Sequence, residues 1–225
     1  MTKVYLGIAS RNNGSWGMFD SVIRNLITAQ RNGITVSLEP HVGDSLICRA
    51  RQEMTWKFLQ TDCTHFMQLD DDIQLPTNAI LKLVQANKPI VGGAYCLKYD
   101  NETKGDKQIT GNGRIAALRA FGSFNIQEHP DELIKLKYLS TGCFLQKREV
   151  VEKMWEQYGD RQYWANVARV DKDERRALYT PMIYNEEYLS EDWAYCQRAV
   201  DAGYDIWLHT GVLCGHWGMS KYTLD

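Results

Sequence analysis

The first hundred residues switch repeatedly between two apolar spacings. Residues 4–9 form an unbroken apolar run, the pattern of a buried strand, which stops at the polar turn Ser10-Arg11-Asn12-Asn13-Gly14. Met18, Val22, Ile23, Leu26 and Ile27 then recur at helical spacing as far as Asn32-Gly33, where glycine suits the left-handed end of a helix. Residues 34–38 predict a second strand. A helix is predicted over about residues 44–60, with Ile47, Ala50, Met54 and Phe58 inward and Asp44 or Ser45 as its cap. Residues 65–69 predict a third strand running into Asp70-Asp71-Asp72. Pro76 opens a further helix with Ile80, Leu83 and Val84 inward, and residues 89–94 predict a fourth strand. Alternation of this kind builds a mostly parallel sheet with helices on both faces.

Beyond residue 97 the regularity breaks. Residues 98–115 are rich in Lys, Asp, Asn and Gly and read as a mobile loop, with strands predicted over residues 118–124 and 136–145, around Thr141-Gly142. Residues 148–158 read as a helix. Residues 159–187 are charged and irregular and hold the run Asp171-Lys172-Asp173-Glu174-Arg175-Arg176. Such a run reads first as a solvated surface insertion, with a mobile lid or acceptor loop as the functional alternative. A last helix is predicted over residues 191–202, ended by Gly203, and a last strand over residues 206–208.

Composition narrows the class. A chain of 225 residues that is 44% hydrophobic has ample material for one α/β core with a small lobe, and 24% charged residues is ordinary. A net charge of -2 gives no overall nucleic-acid footprint, although it leaves room for a local basic face. The 7 Trp and 12 Tyr read mostly as core, with some available as a platform for a sugar or base. Cys48, Cys63, Cys96, Cys143, Cys196 and Cys214 show neither zinc-knuckle nor CxxC spacing. The chain opens Met1-Thr2-Lys3-Val4 without a signal pattern, so the thiols are expected to be reduced, in a cytoplasmic protein. No apolar run has the length of a bilayer span.

The acidic triplet carries the first chemistry. It stands at the carboxyl end of a predicted strand, where open α/β sheets bind ligands. Three adjacent carboxylates raise one another's pKa, and a hard divalent ion such as Mg2+ or Mn2+ relieves that repulsion. In an extended segment Asp70 and Asp72 share one side and Asp71 points away, which makes the outer two the pair for one ligand. On its own the triplet reads more readily as a solvated turn capping the next helix; the apolar strand before it shifts the reading toward a site. Downstream, Ser190-Glu191-Asp192-Trp193 opens a helix, and His209 and Gly215-His216-Trp217-Gly218 follow. A carboxylate there can serve as a general base, or simply stabilise a helix start, and the imidazoles can complete a metal shell.

Three stretches resemble the nucleotide-sugar glycosyltransferases of the GT-A fold. Residues Phe66-Met67-Gln68-Leu69-Asp70-Asp71-Asp72-Ile73 are similar to their strand and DxD motif. Thr141-Gly142-Cys143-Phe144-Leu145, with Arg148 after it, is similar to the segment before their acceptor helix. Ser190-Glu191-Asp192 with a late histidine is similar to the ED motif of inverting members. Residues 45–51 and 91–95 are also similar to the Ser-Leu-Ile-x-Arg-Ala-Arg and Val-Gly-Gly-Ala-Tyr segments of compact glycosyltransferase-2-like proteins of bacteria and phages, so the resemblance covers nearly the whole chain.

The resemblance implies a single GT-A domain with a small C-terminal acceptor lobe. Residues 1–97 would form the donor half, and residues 98–225 the acceptor half with mobile loops near 98–115 and 159–187. It implies transfer of a sugar from a nucleoside-diphosphate sugar, UDP first, to an acceptor hydroxyl with inversion, assisted by Mn2+ or Mg2+. Asp70, Asp72 and His216 would be the metal ligands, with His209 as rival to His216; Asp70 would otherwise reach the ribose. Asp192, in the Glu191-Asp192 pair, would be the base. Ala9, Ser10 and Arg11 would lie beside the nucleotide base, Asp44, Ser45 and Arg49 near the nucleotide, and Asp70, Asp71 and Gly142 in the donor site. Arg49 and Arg51 also read as surface ion-pair partners, Arg51 more readily than Arg49, and Gly92 and Gly93 as close-packing glycines. Asp71 departs from the family motif, and the acceptor lobe is short, which leaves acceptor binding to the 159–187 segment or a partner.

Two rivals stand beside this reading. A nucleotidyltransferase would want a glycine-rich phosphate loop with a basic residue after the first strand, of which residues 10–14 are a poor version. The other rival is a non-catalytic nucleotide-sugar-binding protein. Acceptors in view are a glycan or a hydroxymethylated pyrimidine in phage DNA, the latter served by a basic face of Lys98, Lys104, Lys107, Arg114 and Arg119, which otherwise read as loop solubility. The oligomeric state is not fixed by the sequence.

Overall fold

The computed structural model describes residues 1–11, 14–95, 126–164, 174–218 and 221–222. The elements run β1 (Lys3–Ser10), α1 (Trp16–Arg31), β2 (Thr35–Val42), α2 (Ile47–Leu59), β3 (His65–Asp70), β4 (Ile73–Gln74), α3 (Ala79–Gln85) and β5 (Ile90–Ala94). They continue with β6 (Leu133–Leu136), β7 (Cys143–Lys147), α4 (Arg148–Gln157), β8 (Gln162–Trp164), β9 (Glu174–Arg176), β10 (Met182–Tyr184), β11 (Glu187–Leu189), α5 (Glu191–Asp201), β12 (Ile206–Leu213), β13 (Gly215–Trp217) and β14 (Lys221–Tyr222).

Among the described residues the main sheet has seven strands in the order β2-β1-β3-β7-β5-β12-β6. Strands β2, β1, β3, β5 and β12 run one way, while β7 and β6 run against their neighbours. The expected α/β class, a mostly parallel sheet with helices on both faces, is therefore present. Strand β1 shows why. Val4, Leu6 and Ile8 pack with Met18 and Val22 of α1 and Ile80 of α3 on one face, while Tyr5 and Ala9 pack with Ala50, Met54 and Phe58 of α2 on the other. Gly7 lets α2 lie close, because a Cβ there would stand 2.8 Å from Met54 Sδ. Helices α4 and α5 cover the far half of the α2 face through Val150, Met154, Ala194 and Ala199, packed with Phe144 and Leu208.

Several boundaries differ from the sequence reading. Helix α2 starts at Ile47, with no side-chain cap, because Asp44 accepts from the Leu46 N–H at 2.9 Å in the turn before it. The strand expected over residues 136–145 is two strands, β6 and β7, parted by a loop at 137–142. That loop crosses the sheet end, and the Asp70 N–H donates to Gly142 O at 3.1 Å. Residues 98–115 and 118–124, with Lys98, Lys104, Lys107, Arg114 and Arg119, lie outside the described residues.

The charged stretch behaves differently from a solvated insertion in its described second half. Arg175 is buried, donating to Glu53 of α2 at 2.9 and 3.0 Å and lying over the Trp56 ring. Leu178 and Tyr179 are fully buried, the latter stacked on Tyr195 of α5 at 4.3 Å. Arg198 holds the segment by donating to Leu178 O and Thr180 O. Charge alternation hid these two apolar anchors and the arginines that dock with them. Cys48, Cys63, Cys143, Cys196 and Cys214 are free thiols. No helix among the described residues is long and apolar enough to cross a membrane.

Candidate functional site

The acidic triplet occupies the carboxyl end of β3. Asp70 still belongs to the strand, in register with Ala9 of β1, but Asp71 and Asp72 form a tight turn before β4. Strand alternation therefore stops at Asp70, and the three carboxylates diverge. Asp71, whose role the sequence left open, accepts from Ser10 Oγ at 2.5 Å, and its carbonyl accepts from the Ser15 N–H at 2.9 Å. It ties the turn to the end of β1 and the start of α1.

Asp72 faces the opposite way. Strand β13 pairs with β4, placing His216 beside Ile73, and the Trp217 N–H donates to Asp72 O at 2.7 Å. His216 Nε2 consequently lies 3.6 Å from Asp72 Oδ1. His209 is elsewhere: it is buried in β12, 3.9 Å from Asp131, and its Nδ1 accepts from the Gly211 N–H at 3.2 Å. Of the two rival imidazoles, His216 is the one at the triplet.

Asp70 meets a residue that the sequence reading undervalued. Arg51 of α2 is only 3% exposed; its Nη2 donates to Asp70 Oδ1 at 3.0 Å, and its Nε lies 3.9 Å from Glu191 Oε1. Its Nε and Nη1 are buried and make no hydrogen bond among the described residues. Burial opposes the charge, yet Asp70 and Glu191 outweigh it and hold the guanidinium above its ordinary pKa. For Asp70, burial pushes the carboxyl up; Arg51 pulls it down, and Asp72 and Asp71 push it further up. Glu191 is raised as well, by burial first and then by Asp192. The signal was available: Arg51 shares a helix face with Met54, Thr55 and Phe58 and so points at the sheet, which Arg49 does not.

Tyr95, directly after β5, was also missed. Its buried hydroxyl accepts from the Gly142 N–H at 3.2 Å, and its ring meets His216 edge-on at 5.3 Å. Burial, then the charges of Asp70 and Asp192, push its phenol well above the usual value. Gly142 is required here, since a Cβ would stand 2.6 Å from the Tyr95 hydroxyl and 3.0 Å from Asp70 Oδ2. At the start of α5, Asp192 accepts from Ser190 Oγ and, at 2.8 Å, from the Trp193 N–H, both at Oδ1.

Thus Asp70, Asp72, Gly142, Glu191, Asp192 and His216 gather at one end of the sheet around Arg51 and Tyr95. Ala9 is buried beneath them and Ser10 braces Asp71, while Arg11 and Ser45 are exposed. Asp44 and Arg49 close on each other, with Arg49 donating through Nε at 2.8 Å and Nη2 at 2.7 Å. Gly92 and Gly93 are close-packing positions as expected, a Cβ on Gly92 meeting Cys143 O at 2.2 Å.

Among the described residues no three acidic, histidine or cysteine side chains surround one point. Two of the three expected ligands do fit an ion. Ligand bonds of about 2.1 Å to a carboxylate oxygen and an imidazole nitrogen span the separation of Asp72 from His216. Asp70 is turned to Arg51 instead. An ion with two protein ligands would take its remaining ligands from phosphate and water, as Mg2+ commonly does.

No protein-family model and no curated protein sequence matches the chain. Among solved structures it is similar to A197 from STIV, with a TM-score of 0.55 and 14% identity over 97% of this chain and 86% of that one. It is less similar to a glycosyltransferase involved in the glycosylation of the major capsid of PBCV-1, with a TM-score of 0.34 and 10% identity over 68% of this chain and 65% of that one. A nucleoside-diphosphate-sugar pyrophosphorylase from Vibrio cholerae RC9 gives a TM-score of 0.37 and 11% identity over 92% of this chain and 72% of that one. The first likeness is one of fold. The other two superpose too loosely to bear on function.

Proposed function

We propose that the chain is a metal-assisted glycosyltransferase that moves a sugar from a nucleoside-diphosphate sugar, UDP first, to an acceptor hydroxyl with inversion. The observation that carries this is the meeting of the acidic turn with the Glu191-Asp192 helix start through Arg51, beside the Asp72–His216 pair. Asp70, Asp72, Glu191 and Asp192 give the site an excess of carboxylates over its one buried guanidinium, which a divalent ion would balance.

Asp72 and His216 would hold the ion, and Asp70 would face the donor from its place on Arg51. Bound there, a divalent ion supplies electrostatic stabilisation to the charge that grows on the departing nucleoside diphosphate. The buried N–H groups of Arg51 add fixed positive charge on the same side of the site. Asp192 takes the acceptor proton as the hydroxyl attacks. Its Oδ1 already accepts two hydrogen bonds, so Oδ2 is the atom that receives it.

The experiment is a nucleotide-sugar panel with Mn2+ or Mg2+, scored by donor hydrolysis and then by transfer to glycans and to DNA carrying hydroxymethylated pyrimidine. Metal-dependent hydrolysis that is lost in Asp72→Ala supports the reading. Release of nucleoside triphosphate from a nucleotide-sugar and pyrophosphate would instead make the chain a nucleotidyltransferase, and donor binding without any turnover would make it a binding protein.

A further inference from the structure

Helix α1 is apolar on two opposite faces. Met18, Val22 and Ala29 on the inner face are buried in the core. On the outer face Trp16 is 89% exposed, Ile23 56%, Phe19 47% and Ile27 45%. These four recur at spacings of three and four residues, so they form one stripe along the helix. Edge strand β2 also exposes Leu38 and Val42, with Leu38 in register with Leu6 under α1. A surface helix ordinarily turns charge outward; a second apolar stripe marks a face made to be covered.

We propose that a second copy of this chain covers it, with α1 lying antiparallel on α1 across a two-fold axis level with Val22. The spacing of the stripe selects that arrangement. With a rise of about 1.5 Å per residue, Trp16 and Phe19 lie about 9 and 4.5 Å before the axis, and Ile23 and Ile27 about 1.5 and 7.5 Å after it. The two-fold places the partner's residues at the same heights with opposite sign. The order along the seam becomes Trp16, the partner's Ile27, Phe19, the partner's Ile23, Ile23, the partner's Phe19, Ile27, the partner's Trp16. Each side chain falls into a gap of the other helix, which is how knobs fill holes in packed helices.

The charges at the rim agree. Asp20 and Arg24 flank the stripe on one side, paired within the chain at 2.7 Å. About this axis the same flanks face each other, and Asp20 comes level with the partner's Arg24 and Arg24 with the partner's Asp20. The rim is thus self-complementary, as an isologous interface requires. A lipid surface would call for a basic rim; here Arg24 is neutralised by Asp20, and Arg31 is the only other cation of α1.

Sedimentation velocity over a micromolar concentration series tests this on the full chain. The wild type is expected to show a monomer–dimer equilibrium, and Ile23→Asp to weaken it by about tenfold or more. Ile23 is solvent-facing in the monomer, so an unchanged far-UV circular-dichroism spectrum confirms that its variant is folded. Asp20→Arg and Arg24→Asp should each weaken the homodimer, while an equimolar mixture of the two should associate as a heterodimer, because both cross-chain pairs are then attractive. A wild type that stays monomeric, an Ile23→Asp variant that dimerises as well as the wild type, or a mixture that associates no better than its components overturns the proposal. So does wild-type binding to phosphatidylglycerol vesicles as a monomer that Ile23→Asp abolishes, which would assign the stripe to a membrane.

Discussion

Two arginines two positions apart on α2 meet carboxylates in contrasting ways. Arg49 is half-exposed and grips Asp44 through two short bonds, in a pair that closes within one turn of chain. Arg51 is buried, donates to Asp70 of another element, and among the described residues has no hydrogen-bond partner at Nε or Nη1. The pair with better geometry is expected to have the smaller consequence. Exposed ion pairs contribute little because water screens them and already solvates both ends. A buried guanidinium with unused donors is held in place by its surroundings and keeps bonding capacity for an anionic ligand. Local geometry and burial therefore rank these two residues in opposite orders, and burial predicts the larger effect for Arg51.

The sharpest way to break this contrast is Arg51→Ala. Removing the guanidinium leaves the partly buried carboxylates of Asp70 and Glu191 without their shared cation. Urea unfolding should report a loss of about 3–5 kcal/mol, the size expected when one partner of a buried pair is deleted. A loss below 1 kcal/mol would place Arg51 in the same class as Arg49. Next comes Asp192→Asn, which leaves the Arg51 pairs untouched. Turnover should fall by about 10²–10⁴-fold with donor affinity retained, as for removal of a general base; isothermal titration with the nucleotide-sugar separates the two effects. Smaller again is Gly142→Ala. The new methyl group presses on the Tyr95 hydroxyl and Asp70, and forcing a methylene into a packed place typically removes about 1–3 kcal/mol. Wild-type stability and activity in that variant would show that the loop over Asp70 is looser than its contacts indicate.

The same contrast explains what was legible in the sequence. Strand–helix alternation through residue 94 depends on local spacing, and there the expected elements appear with shifted ends. The arrival of Glu191, Asp192 and His216 at the triplet depended on resemblance, because no local pattern brings β13 to β4. Arg51 and Tyr95 were passed over for a common reason. Each is a polar residue buried at the end of the sheet, Arg51 on a helix face and Tyr95 just past a strand, and its partner comes from a distant part of the chain. Asp71 was unassigned because extended geometry was carried one residue too far, into a turn whose side chains point by different rules. The Arg175–Tyr179 segment was misread because its charge count masked Leu178 and Tyr179, which anchor it.

The smallest expected effect belongs to the Arg49–Asp44 pair, whose arginine is half-exposed, and tests the other end of the comparison. Asp44→Asn keeps an oxygen for the Leu46 N–H and removes only the charge that Arg49 grips. The loss at neutral pH should be below about 1 kcal/mol and should shrink further in high salt. Its pH dependence has a definite sign. Hydrogen bonding from Arg49 holds the Asp44 carboxyl below its ordinary value in the folded chain. The pair's contribution is therefore complete above the unfolded carboxyl's pKa, about 4, and drains away as pH falls through the lower folded value. Unfolding curves of wild type and Asp44→Asn should differ most near neutrality and converge in strong acid. A difference that persists there would mean that Asp44 supports the turn before α2 through its shape rather than its charge.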